Sequence, residues 1–232
     1  MQLSPSKLNV LNDCPRCFWI EGTLAKRPRG IFPSLPGGMD RVFKVYFDQF
    51  RGSLPGILKE QLPMHALYDN QANLKRWRFW KGGLTATVQT RHGQVTLIGA
   101  LDDLLINTET GQHEPLDYKT KGSEPKDDGR QYYQTQLDCY ALMLEANRMP
   151  VSGKAHLVYF WPEKVVGETN WTSPDITCGA ALYTLDASPT RAKELIEKAA
   201  GILSMLKPPE QSETCEYCTF HKNRRIYDDP TT

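Results

Sequence analysis

The middle of the chain carries hydrophobic patterns that are typical of β-strands. Residues 95–106 are apolar on both alternating faces, which predicts a strand buried inside a sheet. A polar, glycine-containing turn at 107–113 follows, and the chain becomes extended again at 115–119. Three further segments have strand composition: 84–90, 154–161 and 180–186. A short turn at 91–93 joins the first of these to residues 94–106.

Apolar residues at helical spacing predict helices before, between and after these strands. The clearest helix covers residues 131–148, and the others cover 39–51 and 189–206. A short helix near the start is expected because Ser4 is a suitable N-cap and Pro5 suits the first helical position. The pattern predicts an α/β fold with a central mixed β-sheet, from about 84 to 186, flanked by helices on both faces.

Acidic side chains interrupt the apolar strands at two places. Asp102 and Asp103 lie inside the stretch predicted to be buried, while Asp117 and Lys119 share one face of the next strand because they are two residues apart. An ionised carboxylate in a sheet core is costly unless it is paired or binds a metal. The cluster suggests a divalent-cation site with a lysine that orients or deprotonates a water. A simple salt bridge of Lys119 with a strand-end aspartate is the alternative.

Three short motifs occur in a characteristic order: Gly-Ala-Leu-Asp at 99–102, Asp-Tyr-Lys at 117–119 and Gln-Leu-Asp-Cys-Tyr at 136–140. Together they resemble the ordered motifs of the PD-(D/E)XK nuclease superfamily. The resemblance is closest to the RecB-like branch, which includes the CRISPR-associated and AddB-type nucleases. The opening SPSKLNVLNDCPRCFWI also resembles the N-terminus of these nucleases, in which a cysteine follows the first helix.

The resemblance implies a restriction-endonuclease-like core that hydrolyses DNA phosphodiester bonds with Mg²⁺ or Mn²⁺, as an exonuclease rather than an endonuclease. Asp102 and Asp117, with the backbone carbonyl of Tyr118, would hold the metal. Lys119 would position the attacking water and stabilise developing charge. The full catalytic set implied is Asp102, Asp117, Lys119, Gln136 and Tyr140, with the last two supporting Lys119 and the substrate. For Tyr140, ordinary core packing is the alternative.

The sequence departs from the family pattern in the helix at 39–51. There the family often carries a histidine that joins the metal site, and this helix has none. Asp40 is the nearest chemical equivalent and a candidate ligand. The alternative is that Asp40 is an acid of the first helical turn, favoured by the helix dipole.

Arg76, Trp77 and Arg78, followed by Phe79 and Trp80, interleave basic and aromatic residues. This composition is used to hold and stack single-stranded nucleic acid. Such a stretch can equally be an amphipathic element whose aromatic rings pack inward. Arg76, Trp77 and Arg78 are therefore nucleic-acid-binding candidates with a structural alternative.

Four of the six cysteines form two pairs with two-residue spacing, at opposite ends of the chain: Cys14, Cys17, Cys215 and Cys218. Two such pairs suit a four-thiolate site for Zn²⁺ or a [4Fe-4S] cluster. Segments 1–20 and 208–232 would then form a clasp that closes most of the chain into one loop. RecB-like nucleases with such a clasp usually have one N-terminal and three C-terminal cysteines and bind [4Fe-4S]. No cysteine follows Cys218, so Cys17 would supply the fourth ligand, and the resemblance favours iron–sulfur. Cys139 and Cys178 are expected to be ordinary buried residues.

Size and composition suit one domain spanning residues 1–232. The chain is 40% hydrophobic and 24% charged with a net charge of +1, so global charge does not indicate a nucleic-acid binder. No apolar run approaches the length of a membrane span and no signal peptide is evident, which predicts a cytoplasmic protein. The expected partners are DNA, as single strands or duplex ends, and a larger recombination or CRISPR-type complex. The rival hypothesis is a catalytically silent nucleic-acid- or protein-binding module held by the same clasp.

Overall fold

The computed structural model describes residues 1–27, 34–79, 81–166 and 175–228, excluding the side chains of 127, 128 and 225–228. The strands in these ranges are β1 Gln2–Leu3, β2 His65–Leu67, β3 Leu84–Thr90, β4 Gly93–Gly99, β5 Asp103–Asn107, β6 His113–Thr120, β7 Lys154–Val166 and β8 Asp175–Asp186. The helices are α1 Pro5–Asp13, α2 Pro15–Thr23, α3 Ser34–Asp48, α4 Gly56–Lys59, α5 Gln71–Trp77, α6 Gln134–Ala146, α7 Pro189–Leu203 and α8 Glu216–Asp228. A 3₁₀ helix, Asp127–Tyr133, leads into α6.

The larger of two sheets has the strand order β2-β5-β6-β7-β8. Strands β6 and β7 run parallel and are connected through α6, whereas the other neighbours are antiparallel. The smaller sheet has the order β1-β4-β3, with β1 parallel to β4. The predicted mixed sheet flanked by helices is confirmed, and it is accompanied by a second sheet.

The two faces of the larger sheet are covered by different helices. On one face, Leu157 and Tyr159 of β7 join a core that includes α6 and α7. On the other face, Phe160 stacks on Phe43 of α3, with ring centroids 3.8 Å apart. Since side chains alternate along a strand, β6 directs Asp117 and Lys119 toward α6 and Tyr118 toward α3.

The single strand predicted at 95–106 is wrong. The segment divides into β4 and β5, which belong to different sheets. Between them the backbone bonds to the end of α5: the Leu101 N–H donates to the Trp77 carbonyl (3.0 Å), and the Asp102 carbonyl accepts from Arg78 Nε (2.7 Å). These bonds replace strand pairing at 100–102.

The predicted hairpin turn and the predicted helix cap agree with the structure. Strands β3 and β4 form the expected hairpin, in which Thr90 pairs with Gly93, and Gly93 has a φ of 105°. The Ser4 hydroxyl caps α1 by accepting a hydrogen bond from the Lys7 N–H. Helix α3 begins at Ser34, earlier than the predicted start at residue 39, and residues 28–33 lie outside the described ranges. Among the described helices, none has the length and hydrophobicity needed to cross a membrane.

Candidate active site

Asp117 and Lys119 lie on β6 and form an ion pair beneath α6. Asp117 is fully buried, and its Oδ2 atom is 2.5 Å from Lys119 Nζ. The lysine ammonium also lies 4.4 Å from the ring centroid of Tyr133, at the end of the 3₁₀ helix. A buried acid and base are therefore held side by side on one strand.

Gln136 and Tyr140, one turn apart on α6, connect this pair to the break between β4 and β5. The Gln136 amide donates through Nε2 to Asp117 Oδ1 (3.1 Å), and its Oε1 accepts from Lys119 Nζ (3.2 Å). The same Nε2 donates to the Tyr140 hydroxyl (2.6 Å), which donates to the Ala100 carbonyl (2.6 Å). One amide thus fixes both the acid and the base.

Asp102 lies in the same break and contacts the backbone of β6. Its Oδ2 accepts a hydrogen bond from the Tyr118 backbone N–H (3.3 Å), and its Oδ1 is 2.7 Å from Lys44 Nζ. Lys44 also bonds Asp40 Oδ2 (2.8 Å), one turn earlier on α3. The ammonium of Lys44 therefore joins the two candidate ligands Asp40 and Asp102.

Lys44 was not identified from the sequence. The only feature of Lys44 visible in the sequence was its i,i+4 spacing from Asp40. On a helix surface that spacing indicates only a local ion pair. Nothing in that spacing shows that the same ammonium reaches a carboxylate in the loop between two sheets.

The electrostatics of the site are dominated by burial. Burial raises the pKa of Asp117, the neighbouring carboxylate of Asp102 raises it further, and Lys119 partly opposes both, giving a value of about 7. Burial also lowers the pKa of Lys119, but the carboxylates of Asp117 and Asp102 outweigh it and the net pKa is raised. The two acids together lack enough nearby positive charge to keep Asp117 fully ionised at neutral pH.

The residues present fit a hard divalent cation. Carboxylate and carbonyl oxygens are the ligands that Mg²⁺ and Mn²⁺ prefer. Asp102 and Asp117 supply such oxygens, and their mutual repulsion, seen in the raised pKa of Asp117, is what a cation between them would relieve. The contact of Lys44 with Asp102 shows that this carboxylate already attracts a positive charge.

Asp103, the neighbour of Asp102, points into a different network. Its buried carboxylate receives a two-point contact from Arg51 (2.6 and 2.5 Å) and one bond from Arg78 (3.1 Å). It also accepts a hydrogen bond from the Tyr118 hydroxyl. Asp103 holds α3, α5 and β6 together and is not part of the acid–lysine site.

The basic and aromatic stretch is divided between interior and surface, with Phe79 56% exposed. The side chain of Trp77 is 4% exposed and stacks on Tyr68, with ring centroids 5.5 Å apart. Arg78 is engaged by Asp48 and Asp103. Of the three nucleic-acid-binding candidates, Arg76 is exposed. Trp80, which ends the stretch, lies outside the described residues.

The four cysteines predicted to form a clasp come together. Their sulfur atoms lie within 4.8 Å of one another, with separations of 3.8 Å for Cys14–Cys218, 3.7 Å for Cys17–Cys215 and 3.4 Å for Cys17–Cys218. Cys14 lies between α1 and α2, and Cys218 lies in the first turn of α8. Of the remaining two cysteines, Cys139 is buried as expected and Cys178 is only partly buried.

The thiols of this cluster differ in proton affinity. Burial raises the pKa of Cys14, but hydrogen bonds from the backbones of Ser212 and Cys17 outweigh it and give about 7. Burial and the neighbouring sulfurs raise the pKa of Cys17, and burial raises that of Cys218 to about 11. The four sulfur atoms share few hydrogen-bond donors. A bound metal ion would supply the positive charge that thiolates need.

A sequence comparison places the chain in a known superfamily. The family model of the PD-(D/E)XK nuclease superfamily matches residues 40–222. A crystal structure of SSO0001 aligns at 15% identity with a TM-score of 0.47, covering 95% of this chain and 84% of that one. No curated protein gave a match. Because the matched region spans most of the chain and contains the Asp102, Asp117 and Lys119 cluster, the protein belongs to the PD-(D/E)XK nuclease superfamily.

Proposed function

We propose that the protein is a Mg²⁺- or Mn²⁺-dependent deoxyribonuclease of the RecB-like branch, acting as an exonuclease. The observation that carries the proposal is the joint contact of Gln136 with Asp117 and Lys119, beside Asp102. A buried acid, a second acid and an oriented lysine are the groups that metal-assisted phosphodiester hydrolysis requires.

Asp102 and Asp117, with the backbone carbonyl of Tyr118, would hold the cation. When bound, the cation supplies positive charge at the scissile phosphate and makes a nearby water easier to deprotonate. Lys44 contacts both Asp40 and Asp102 and so links the two carboxylates. Asp40 could join the ligand set if the Lys44 side chain moves away.

Lys119 positions the attacking water and balances negative charge as it develops on the phosphate. Its ammonium is restrained by Asp117 at 2.5 Å and by Gln136 at 3.2 Å, so little reorganisation is needed during the reaction. Tyr140 keeps the Gln136 amide in the orientation that serves both partners, because its hydroxyl is itself fixed by the Ala100 carbonyl.

The cysteine clasp is proposed to join segments 1–20 and 208–232 of a single nuclease-like domain. The family resemblance favours a [4Fe-4S] cluster at this site. The sulfur separations favour a single ion, because Zn–S bonds of about 2.3 Å place the sulfurs of a tetrahedral site about 3.8 Å apart. Three of the six sulfur–sulfur separations are 3.4–3.8 Å, near that spacing, and all six are within 4.8 Å. Metal and acid-labile sulfide analysis of the purified protein distinguishes the two.

The proposed substrate is DNA, as single strands or duplex ends, and a recombination or CRISPR-type complex is the proposed setting. The second candidate is a silent binding module of the same fold. One observation favours it: Lys44 presents its ammonium to Asp102, where a cation would compete for the same carboxylate.

Nuclease assays on labelled DNA with Mg²⁺ or Mn²⁺ test the proposal. We expect Asp117→Ala and Lys119→Ala to lose at least about 100-fold in rate, because each removes charge stabilisation within the site. Lys154→Ala is the matched control, since Lys154 also forms a strand lysine–aspartate pair, at 2.6 Å from Asp186, but on the surface. Circular and linear substrates separate endonuclease from exonuclease action. DNA binding without cleavage, unchanged in the two variants, would support the silent module instead.

A further inference from the structure

Two histidines and a glutamate meet on the face of the larger sheet opposite Asp117. His65 lies on β2, Glu114 on β6 and His156 on β7. Glu114 shares the β6 face of Tyr118, and it lies about 10 Å along the strand from Asp117. The cluster is therefore separate from the acid–lysine site and from the cysteines.

The three side chains converge on one carboxylate oxygen. Glu114 Oε2 is 2.5 Å from His156 Nε2 and 3.2 Å from His65 Nε2. One ligand atom from each residue lies within 4.8 Å of the other two. Zn–N and Zn–O bonds of about 2.0–2.1 Å place neighbouring ligand atoms of a tetrahedral site about 3.3 Å apart. The 3.2 Å contact already has that length, and the 2.5 Å contact would need to open by less than about 1 Å.

Outer contacts orient one of the two histidine rings. Thr184 Oγ1 lies 2.9 Å from His156 Nδ1 and orients that ring, as outer partners of metal-binding histidines do. His65 Nδ1 is buried and has no hydrogen-bond partner within the described structure, so His65 lacks such an outer partner. Glu114 and His156 are buried, and the His65 side chain is 12% exposed.

A buried carboxylate with two imidazoles is a ligand set that suits Zn²⁺ and its neighbours in the first transition row more than Mg²⁺.

We propose that His65, Glu114 and His156 bind a first-row transition-metal ion, with Zn²⁺ the best fit and a water in the fourth position. Bound there, the ion links the edge strand β2 directly to the central strands β6 and β7. It is a third metal site, chemically distinct from an oxygen-ligand site and from a four-thiolate site.

The test titrates the full chain with Co²⁺, as a coloured substitute for Zn²⁺, after its cysteine site has been loaded. Excess Mg²⁺ is present to occupy the carboxylate site, because Mg²⁺ prefers oxygen ligands and leaves imidazoles free. The variant is His65→Gln, at an edge strand where the side chain is partly exposed. The matched control is His113→Gln: His113 precedes Glu114 on β6, points to the opposite face and contacts the Pro150 carbonyl.

We expect the wild type and His113→Gln to bind one more equivalent of Co²⁺ than His65→Gln. The spectrum of that equivalent should lack thiolate charge-transfer bands. As a check that does not depend on counting, Zn²⁺ should raise the melting temperature of the wild type and of His113→Gln, but not that of His65→Gln. Equal stoichiometry and equal melting shifts in all three proteins would show that the triad is only a hydrogen-bonded cluster.

Discussion

Two adjacent aspartates belong to different side-chain networks. Asp102 faces Lys44 and the backbone of β6 at the candidate metal site, whereas Asp103 is buried between Arg51 and Arg78. Because neighbouring residues of an extended segment point in opposite directions, one acidic dipeptide supplies both a site ligand and a structural anchor.

Replacing Asp103 with Asn should destabilise the protein by about 3–5 kcal/mol, because two buried guanidinium groups lose their shared counter-charge. The free energy of unfolding from urea titration measures this loss. Asp186→Asn is the control, since Asp186 forms an exposed ion pair with Lys154 and should change stability much less. Equal effects of the two substitutions would contradict the assigned role of Asp103.

Asp48 extends the same network and gives it a pH dependence. Burial raises the pKa of Asp48, but Arg78 and Arg51 outweigh it and the net pKa is lowered. A lowered pKa means that the stabilisation is complete above the ordinary aspartate value of about 3.9 and is lost as the pH falls below it. We expect Asp48→Asn to lower the free energy of unfolding at pH 7 by about 1–3 kcal/mol. That difference should shrink on acidification below pH 4, as measured by urea titrations across pH; a constant difference would argue against the ion pairs.

At the scale of elements, the close approach of β3 to the end of β4 depends on a glycine. A Cβ atom placed on Gly83 would lie 2.1 Å from the carbonyl oxygen of Gly99 and 2.9 Å from its carbonyl carbon. Both contacts are with backbone atoms, which cannot rotate away. Gly99 immediately precedes the break that carries Asp102 and the Ala100 carbonyl bound by Tyr140.

Gly83→Ala should therefore destabilise the protein by about 1–3 kcal/mol or more and weaken the candidate site next to it. Gly82→Ala is a matched control one residue away, because its added Cβ would meet no atom closer than 3.4 Å. Thermal unfolding compares the two variants. If both melt alike, the backbone contact of Gly83 with Gly99 does not constrain the fold.

Sequence patterns predicted the elements that have a repeating local signal. The β3–β4 hairpin, α6 and the cap at Ser4 follow from alternation, helical spacing and a capping hydroxyl. The division of 95–106 into two strands could not be predicted, because hydrophobicity reports burial and not the sheet in which a residue is buried. The break is made by hydrogen bonds to α5, which is distant in sequence.

Sequence motifs likewise predicted the set Asp102, Asp117, Lys119, Gln136 and Tyr140, which the structure brings into contact. The contacts of Lys44 with Asp102 and of His65 with His156 were not predicted. Each joins residues on elements far apart along the chain, without a spacing that marks them. Only the packing of α3 on the sheet, and the strand order β2-β5-β6-β7 within it, brings them together.

At the scale of the whole molecule, a metal bound by the four clustered cysteines would close a loop of 204 residues between Cys14 and Cys218. In the chain-entropy model, a cross-link over such a loop disfavours the unfolded state by roughly 5 kcal/mol. Removing the metal with a chelator, or replacing Cys215 with Ser, should therefore lower the melting temperature substantially. Cys178→Ser is the control, because this cysteine lies outside the cluster. Calorimetry that gives the same melting temperature before and after metal removal would contradict a stabilising clasp.

The same 204-residue separation also determines how long the first cysteines wait for the last one during synthesis of the chain. A ribosome adds about 5–20 residues per second, so Cys14 and Cys17 would be synthesised roughly 10–40 seconds before Cys218. During that interval the early thiols have no native partners and are open to oxidation or to capture of an unsuitable ion. Correct loading of the site is then a step that follows translation, and cells short of the proper metal would accumulate full-length chains whose two ends have not been joined.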